Sequence, residues 1–220
     1  MAFVSEFANG RRIFRQIDTH LDSPPITVGG SGPLDESYCQ RVVDGRLPEL
    51  IPDAKLLPAA LELAVTAALP VGAHISVPIR LRDGRLFGTF CCFSFAADPS
   101  LQNRDLAMMR VFADFAAQQI ERHLAAERGR NAARERVLSA LNNGMLATFY
   151  QPIYCFSSKR VIGLEALSRF AAPPPRPPDV WFKEAADVGL GEQLEIAAVE
   201  LALNRLDRIP ASTALALNIS

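Results

Sequence analysis

Residues 151–170 read QPIYCFSSKRVIGLEALSRF. Two apolar runs flank the polar turn Ser157-Ser158-Lys159-Arg160, and the second run, VIGLEAL, carries a single carboxylate, Glu165. A charge set in an oily strand is costly unless something pairs with it or coordinates it. Glu165 therefore reads either as a metal ligand near a strand end or as half of a buried ion pair. Outward from this stretch, 148–155 and 161–167 are predicted strands, and APPPRPPD is a loop. A long helix is predicted over 181–208, weakened or split by Gly189 and Gly191. Residues 213–220, TALALNIS, close the chain as a third strand. Strand, helix and strand in that order suggest a βαβ crossover and a parallel sheet.

Towards the N-terminus the pattern changes. Residues 2–8 and 11–17 are strand-like runs joined by Asn9-Gly10, a pair that tolerates the positive φ of a tight hairpin turn. Residues 22–33 hold three prolines and three glycines and read as loop. A helix is predicted over 34–44, capped by Asp35 or Ser37 and stopped by Gly45. A strand follows over 47–54 and a helix over 58–68. Residues 73–82 and 85–95 form the clearest hairpin, turning at Asp83-Gly84, with Pro78 expected at an edge or bulge. From 103 to 143 the period is helical, with Leu106, Met109, Phe112, Phe115 or Ala116, Ile120 and Leu124 as its apolar stripe. Within it ERGRNAARER, 127–136, keeps helix formers but loses its oil, as a solvated connector does.

A chain of 220 residues holds one large or two small domains. A net charge of −1 gives no bulk attraction to nucleic acid or an anionic membrane, so neither is an expected partner. The oiliest region, 56–79, is interrupted by Pro58, Glu62, Pro70, His74 and Pro78, too often for a transmembrane span. No signal peptide is visible, so the cytoplasm is the expected address. The four cysteines, Cys39, Cys91, Cys92 and Cys155, form no CxxC pair. They read as small buried hydrophobes, with a redox or ligand role left open for Cys39 or the vicinal pair Cys91-Cys92. His74, opening an alternating strand, reads as a satisfied or half-exposed histidine. Phe3, Phe90, Phe93 and Phe95 read as core.

Two resemblances add to this. SYCQRVVDGRLPELIPDA followed by SVPIRLRDGRLFGTFCCFSF is similar to GAF domains, small sensory modules ahead of signalling enzymes. QPI, EALSRF and LNIS resemble the EAL family of bacterial cyclic di-GMP phosphodiesterases. Together they imply an α+β GAF domain, an antiparallel sheet with helices, joined by a long helix to the first strands of an incomplete α/β TIM-type EAL barrel. The expected boundaries are 1–125 for the GAF-like domain, expected to lack its N-terminal helix, then 126–140 for the linker and 141–220 for the EAL portion. The GAF ligand is not named by any motif, and a homodimer through the GAF domain and linker helix is a possible assembly.

By the EAL resemblance the reaction is hydrolysis of cyclic di-GMP to linear pGpG with two Mg2+ or Mn2+ ions. Glu165 and Asn218 would be metal ligands, Arg169 would hold a phosphate, and Gln151 and Leu167 would line the substrate site. Each has a plainer reading beside it. Arg169 also suits an ion pair with Glu165, Asn218 a strand end, and Gln151-Pro152 a strand entry. A (β/α)8 barrel takes roughly 250 residues, and the later acidic ligands of the family are not in this chain. The 220 residues are therefore expected to be inactive alone. The alternative is a sensory or dimerising GAF module with a non-catalytic EAL remnant.

Overall fold

The computed structural model describes residues 1–219, and the chain divides into two compact units, Met1–His123 and Leu124–Ser220. Ser220, the last residue of the predicted third strand, lies outside the described residues.

The first unit is built on a six-stranded antiparallel sheet of order β3-β2-β1-β6-β5-β4. Strands β1 (Ala2–Ala8) and β2 (Arg11–Asp18) form the predicted hairpin. Asn9 at φ 51° and Gly10 at φ 70° give the left-handed pair that a twisted two-residue turn needs. β3 (Ser31–Pro33) corrects the expectation of loop throughout 22–33. Its three residues pair with β2 at the sheet edge, and Ser-Gly-Pro carries no strand pattern from which it could be read.

Helix α1 (Tyr38–Val43) starts later than expected because Ser37, not Asp35, caps it, accepting from the Gln40 N–H at 3.1 Å. Strand β4 shrinks to Leu50–Ile51 and gives way to a short 3-10 turn, Ala54–Leu56, capped by Asp53. The single helix expected over 58–68 is two, α2 (Pro58–Leu61) and α3 (Ala64–Ala68). Leu63 takes an extended backbone between them and buries its side chain in the core. The Thr66 hydroxyl donates back to the Ala60 carbonyl, so the break leaves that acceptor satisfied.

Strands β5 (Ala73–Arg80) and β6 (Leu86–Ser94) form the second predicted hairpin. β4 pairs with β5 only at His74 and Ile75, so Pro78 lies on a stretch of β5 with no strand on its outer side. β1 and β6 approach closely at Gly88, where an added Cβ would collide with the Ser5 carbonyl. One face of the sheet supports α1 to α3 over a core of Phe3, Phe14, Tyr38, Cys39, Leu63, Val71, Cys91 and Phe93.

Helix α4 runs Asn103–Asn142 without interruption. Its buried stripe in the first unit is Met109, Ala113 and Ala117, and Met109 meets Cys92 on the other sheet face. Phe112, expected in the stripe, and Phe115, offered there as the alternative to Ala116, stay more than half exposed, while Ala116 is half-buried. Small alanines at four-residue steps let the helix sit close to the sheet, with Phe112 at the margin meeting the Phe90 ring edge-on at 6.5 Å. Residues 125–132 of α4 are all exposed.

In the second unit, β7 (Leu146–Cys155) and β8 (Arg160–Phe170) form an antiparallel hairpin. Helices α5 (Pro178–Asp187) and α6 (Gly191–Leu203) follow, then a 3-10 turn at Leu206–Arg208 and strand β9 (Ala214–Leu217). The predicted long helix divides at Gly189, whose φ of 72° ends α5, and its tail beyond Leu203 is not α-helical. β9 pairs parallel to β8, giving the sheet order β7-β8-β9.

The core beside this sheet gathers Val137, Ala140, Leu146, Ala172, Trp181, Ala185, Leu190 and Leu194. Trp181 stacks on Phe170 with centroids 5.0 Å apart, and the Arg176 guanidinium covers its ring at 4.1 Å. Glu184 joins Arg136 at 2.5 Å and Arg176 at 2.9 Å. Burial works against its charge, but the two guanidiniums outweigh that and hold its carboxyl below the usual carboxylate range.

Candidate functional site

Strand β8 alternates its side chains between two faces. Phe170 points to the helix-covered side, where it stacks on Trp181. Ala166 shares that face and is buried. Glu165, Leu167 and Arg169 therefore lie together on the opposite face. Gln151 stands directly across from Glu165 in the antiparallel register, so it shares that face. The strand period alone brings four of the five predicted site residues to one surface.

The fifth arrives through the parallel pairing. Ala216 of β9 lies opposite Glu165, and Asn218 follows the strand end. Its Nδ2 donates to Glu165 Oε1 at 3.0 Å across 53 residues of sequence. Glu165 itself sits in the middle of β8, near the C-terminal end of the segment paired with β9. Arg169 donates to the neighbouring Ser168 carbonyl at 2.8 Å. Glu165 and Arg169 are four residues apart on an extended strand, about 13 Å along the chain. Among the described residues no ion pair joins them, so the expected alternative of an Arg169–Glu165 pair is not what the fold provides.

Glu165 and Asn218 bring a carboxylate and an amide, both hard oxygen donors of the kind magnesium and manganese take. The donor set fits such an ion in kind. It supplies two ligands of about six, and no cluster of three or more His, Cys, Asp or Glu is gathered among the described residues.

The first unit carries a second polar grouping. His74 is buried against Tyr38, with ring centroids 4.7 Å apart, and its Nδ1 has no hydrogen-bond partner. This corrects the expectation of a satisfied or half-exposed histidine, because its strand position faces the helix-covered core. Burial, with the Arg12 charge, pulls its pKa down to about 3. The vicinal cysteines are separated by strand alternation. Cys92 faces Met109, while Cys91 faces Cys39 of α1, with the two sulfurs 3.5 Å apart. Sequence distance hid this second pairing, and no local motif signals it.

Residues 8–120, just over half of the chain, match the family model described as GAF domain. The chain belongs to the GAF domain family. Behind the GAF domain, residues 134–220 match the model described as EAL domain. No curated protein matches the chain. Among solved structures, this GAF protein is similar to one described as "PaMucR Phosphodiesterase, c-di-GMP complex". It is 26% identical to that chain over 40% of its own length and 38% of the other, at TM-score 0.37. A structure described as that of the GAF domain is 12% identical, covering 52% and 60% at TM-score 0.39. The chromophore-binding domain of the bacteriophytochrome RpBphP3 from R. palustris is 17% identical, covering 57% and 50% at TM-score 0.44. In each case the chain spans less than two thirds of the solved relative's length. Among the described residues no helix is long and apolar enough to cross a membrane.

Proposed function

We propose that this GAF protein acts in cyclic di-GMP signalling, as the sensory and first catalytic part of a GAF-regulated phosphodiesterase. The observation that carries the reading is the meeting of Asn218 and Glu165 at 3.0 Å. A carboxylate and an amide from distant stretches converge on one face that also presents Gln151, Leu167 and Arg169. In this reading Glu165 and Asn218 are ligands for magnesium or manganese, which when bound would activate water and offset phosphate charge. Arg169 holds a phosphate oxygen with its planar fork. Gln151 and Leu167 contact the guanine nucleotide, and the product is linear pGpG. The β7–β9 sheet is the opening of a TIM-type barrel.

Two oxygen donors do not complete a metal shell, so the remaining ligands come from outside the described residues. The test is cyclic di-GMP turnover with Mg2+ or Mn2+, on the 220-residue chain and on the same chain carrying any residues encoded beyond Ser220. The expected result is no turnover by the 220 residues and hydrolysis by the longer chain. In that longer chain Glu165→Gln should cut kcat at least about 100-fold, because a neutral amide replaces the charged ligand. Hydrolysis by the 220-residue chain would sink the assignment of missing ligands.

A second reading is favoured by a specific surface. Met108, Val111, Phe112 and Phe115 form an exposed apolar stripe on α4. They recur at three- and four-residue steps, as a helix-pairing seam does. This supports a GAF module that dimerises through α4, with the EAL portion a non-catalytic remnant. Inactivity of both chains, with dimerisation intact, would favour it.

A further inference from the structure

We propose that Cys39 and Cys91 form a dithiol site that hydrogen peroxide oxidises to a disulfide inside the GAF domain. The two residues are 52 positions apart, on α1 and β6, and both side chains are fully buried. Their sulfurs lie 3.5 Å apart. A disulfide holds them at about 2.05 Å, so roughly 1.5 Å of closure joins them.

The surroundings are not those of two inert core thiols. Arg12 Nη1 lies 3.7 Å from Cys39 Sγ, and its guanidinium is anchored over the Phe14 ring at 4.6 Å. Ser5 Oγ approaches Cys39 at 3.9 Å, while Ser76 Oγ and Thr89 Oγ1 lie 3.0 and 3.1 Å from Cys91 Sγ. A cation and three hydroxyls thus enclose the pair in an otherwise apolar core. The hydrogen bond shared with Cys91, followed by the Arg12 charge, holds Cys39 below the ordinary thiol pKa against its burial. Desolvation pushes Cys91 up. The Arg12 cation stands on the Cys39 side of the pair, which makes Cys39 the attacking sulfur and Cys91 the resolving one.

A small cavity lies beside Arg12, the residue whose guanidinium approaches Cys39. Arg12 lines a cavity of about 30 Å3 together with Phe14, Tyr38, His74 and Phe93. Arg12 Nε and His74 Nδ1, on two of the lining residues, are buried without hydrogen-bond partners. The space holds a molecule of about the size of water or slightly larger. Two unpaired nitrogens offer hydrogen bonds to a small oxygen species, and a hydrogen peroxide molecule satisfies both size and polarity.

The chemistry balances in two steps. The Cys39 thiolate attacks one peroxide oxygen, forming an S–O bond as the O–O bond breaks. Hydroxide leaves, and with the proton that Cys39 had released it becomes water. Cys91 sulfur then attacks the Cys39 sulfenic acid sulfur. The S–S bond forms, the S–O bond breaks, and the departing hydroxide takes the Cys91 proton as a second water. Two electrons pass from the sulfurs to the peroxide bond.

The experiment uses the whole 220-residue chain carrying Cys92→Ser, because Cys91 and Cys92 share the tryptic peptide 86–104. The folded protein is exposed to hydrogen peroxide, alkylated after unfolding, digested without reductant and read by mass spectrometry. The expected product is a disulfide linking peptides 16–41 and 86–104, lost on treatment with dithiothreitol. Adding Cys91→Ser should stop the reaction at a sulfenic acid on Cys39 that dimedone traps. Arg12→Met should slow disulfide formation by about tenfold as the thiolate is lost. Oxidation confined to the half-buried Cys155, with Cys39 and Cys91 still alkylated, would overturn the proposal. So would dimedone labelling absent from Cys39 in a Cys91→Ser protein whose circular dichroism is native. An unchanged rate in Arg12→Met would overturn the part given to Arg12.

Discussion

Glu165 shows how far one residue can be read. Its cost inside an apolar run marks it from sequence, and in the fold the strand period separates Arg169 from it while the β8–β9 pairing brings Asn218 to it. His74 illustrates the reverse. Alternation placed it on β5, yet which face of β5 meets the helices depends on the whole sheet. Its pKa of about 3 in the fold lies below the 6.5 of an unfolded histidine. The unfolded chain therefore binds the proton first as pH falls. The stability that the neutral imidazole provides is complete above pH 6.5 and is lost progressively as pH drops towards 3. Urea melts of the wild type and His74→Gln should diverge in slope below pH 6.5, the wild type losing up to about 1.4 kcal/mol more per pH unit. Parallel slopes would show that His74 titrates normally.

At the scale of elements, the long ones were legible and the short ones were not. The two hairpins of the GAF domain, α4 and the β7–β8 pair announce themselves through period and turn chemistry. The three-residue β3, the shortness of β4 within the strand expected over 47–54, and the break at Leu63 do not, since each depends on a neighbour that supplies hydrogen bonds or a core to enter. Phe112 and, of the alternatives Phe115 and Ala116, Phe115 fall outside the buried stripe of α4 for the same reason. Periodicity names candidate faces, and close packing against the sheet selected the alanine face. The exposed aromatics then become the expected dimer seam. Phe112→Glu with Phe115→Glu should convert a dimer to a monomer in sedimentation velocity without loss of helicity, and a wild type already monomeric at high concentration would refute the seam. On α6, fully buried Leu194 packs in the same core as Trp181. Leu194→Ala should cost about 2–5 kcal/mol. Trp181 is the chain's one tryptophan, so its fluorescence reports this unfolding directly.

For the whole molecule, the sequence by itself determined the order of the two units, the helix that runs from one into the other, and the residues that carry the EAL resemblance. These rest on local period, turn residues and short contiguous words, all of which a linear string preserves. Tertiary structure alone decided which distant groups meet. Asn218 reaches Glu165 across 53 residues because β9 returns parallel to β8. Cys91 turns from its sequence neighbour Cys92 to Cys39 because adjacent side chains on a strand point to opposite faces. Spacing along a chain records neither event, since both follow from which surfaces pack together when the core excludes water.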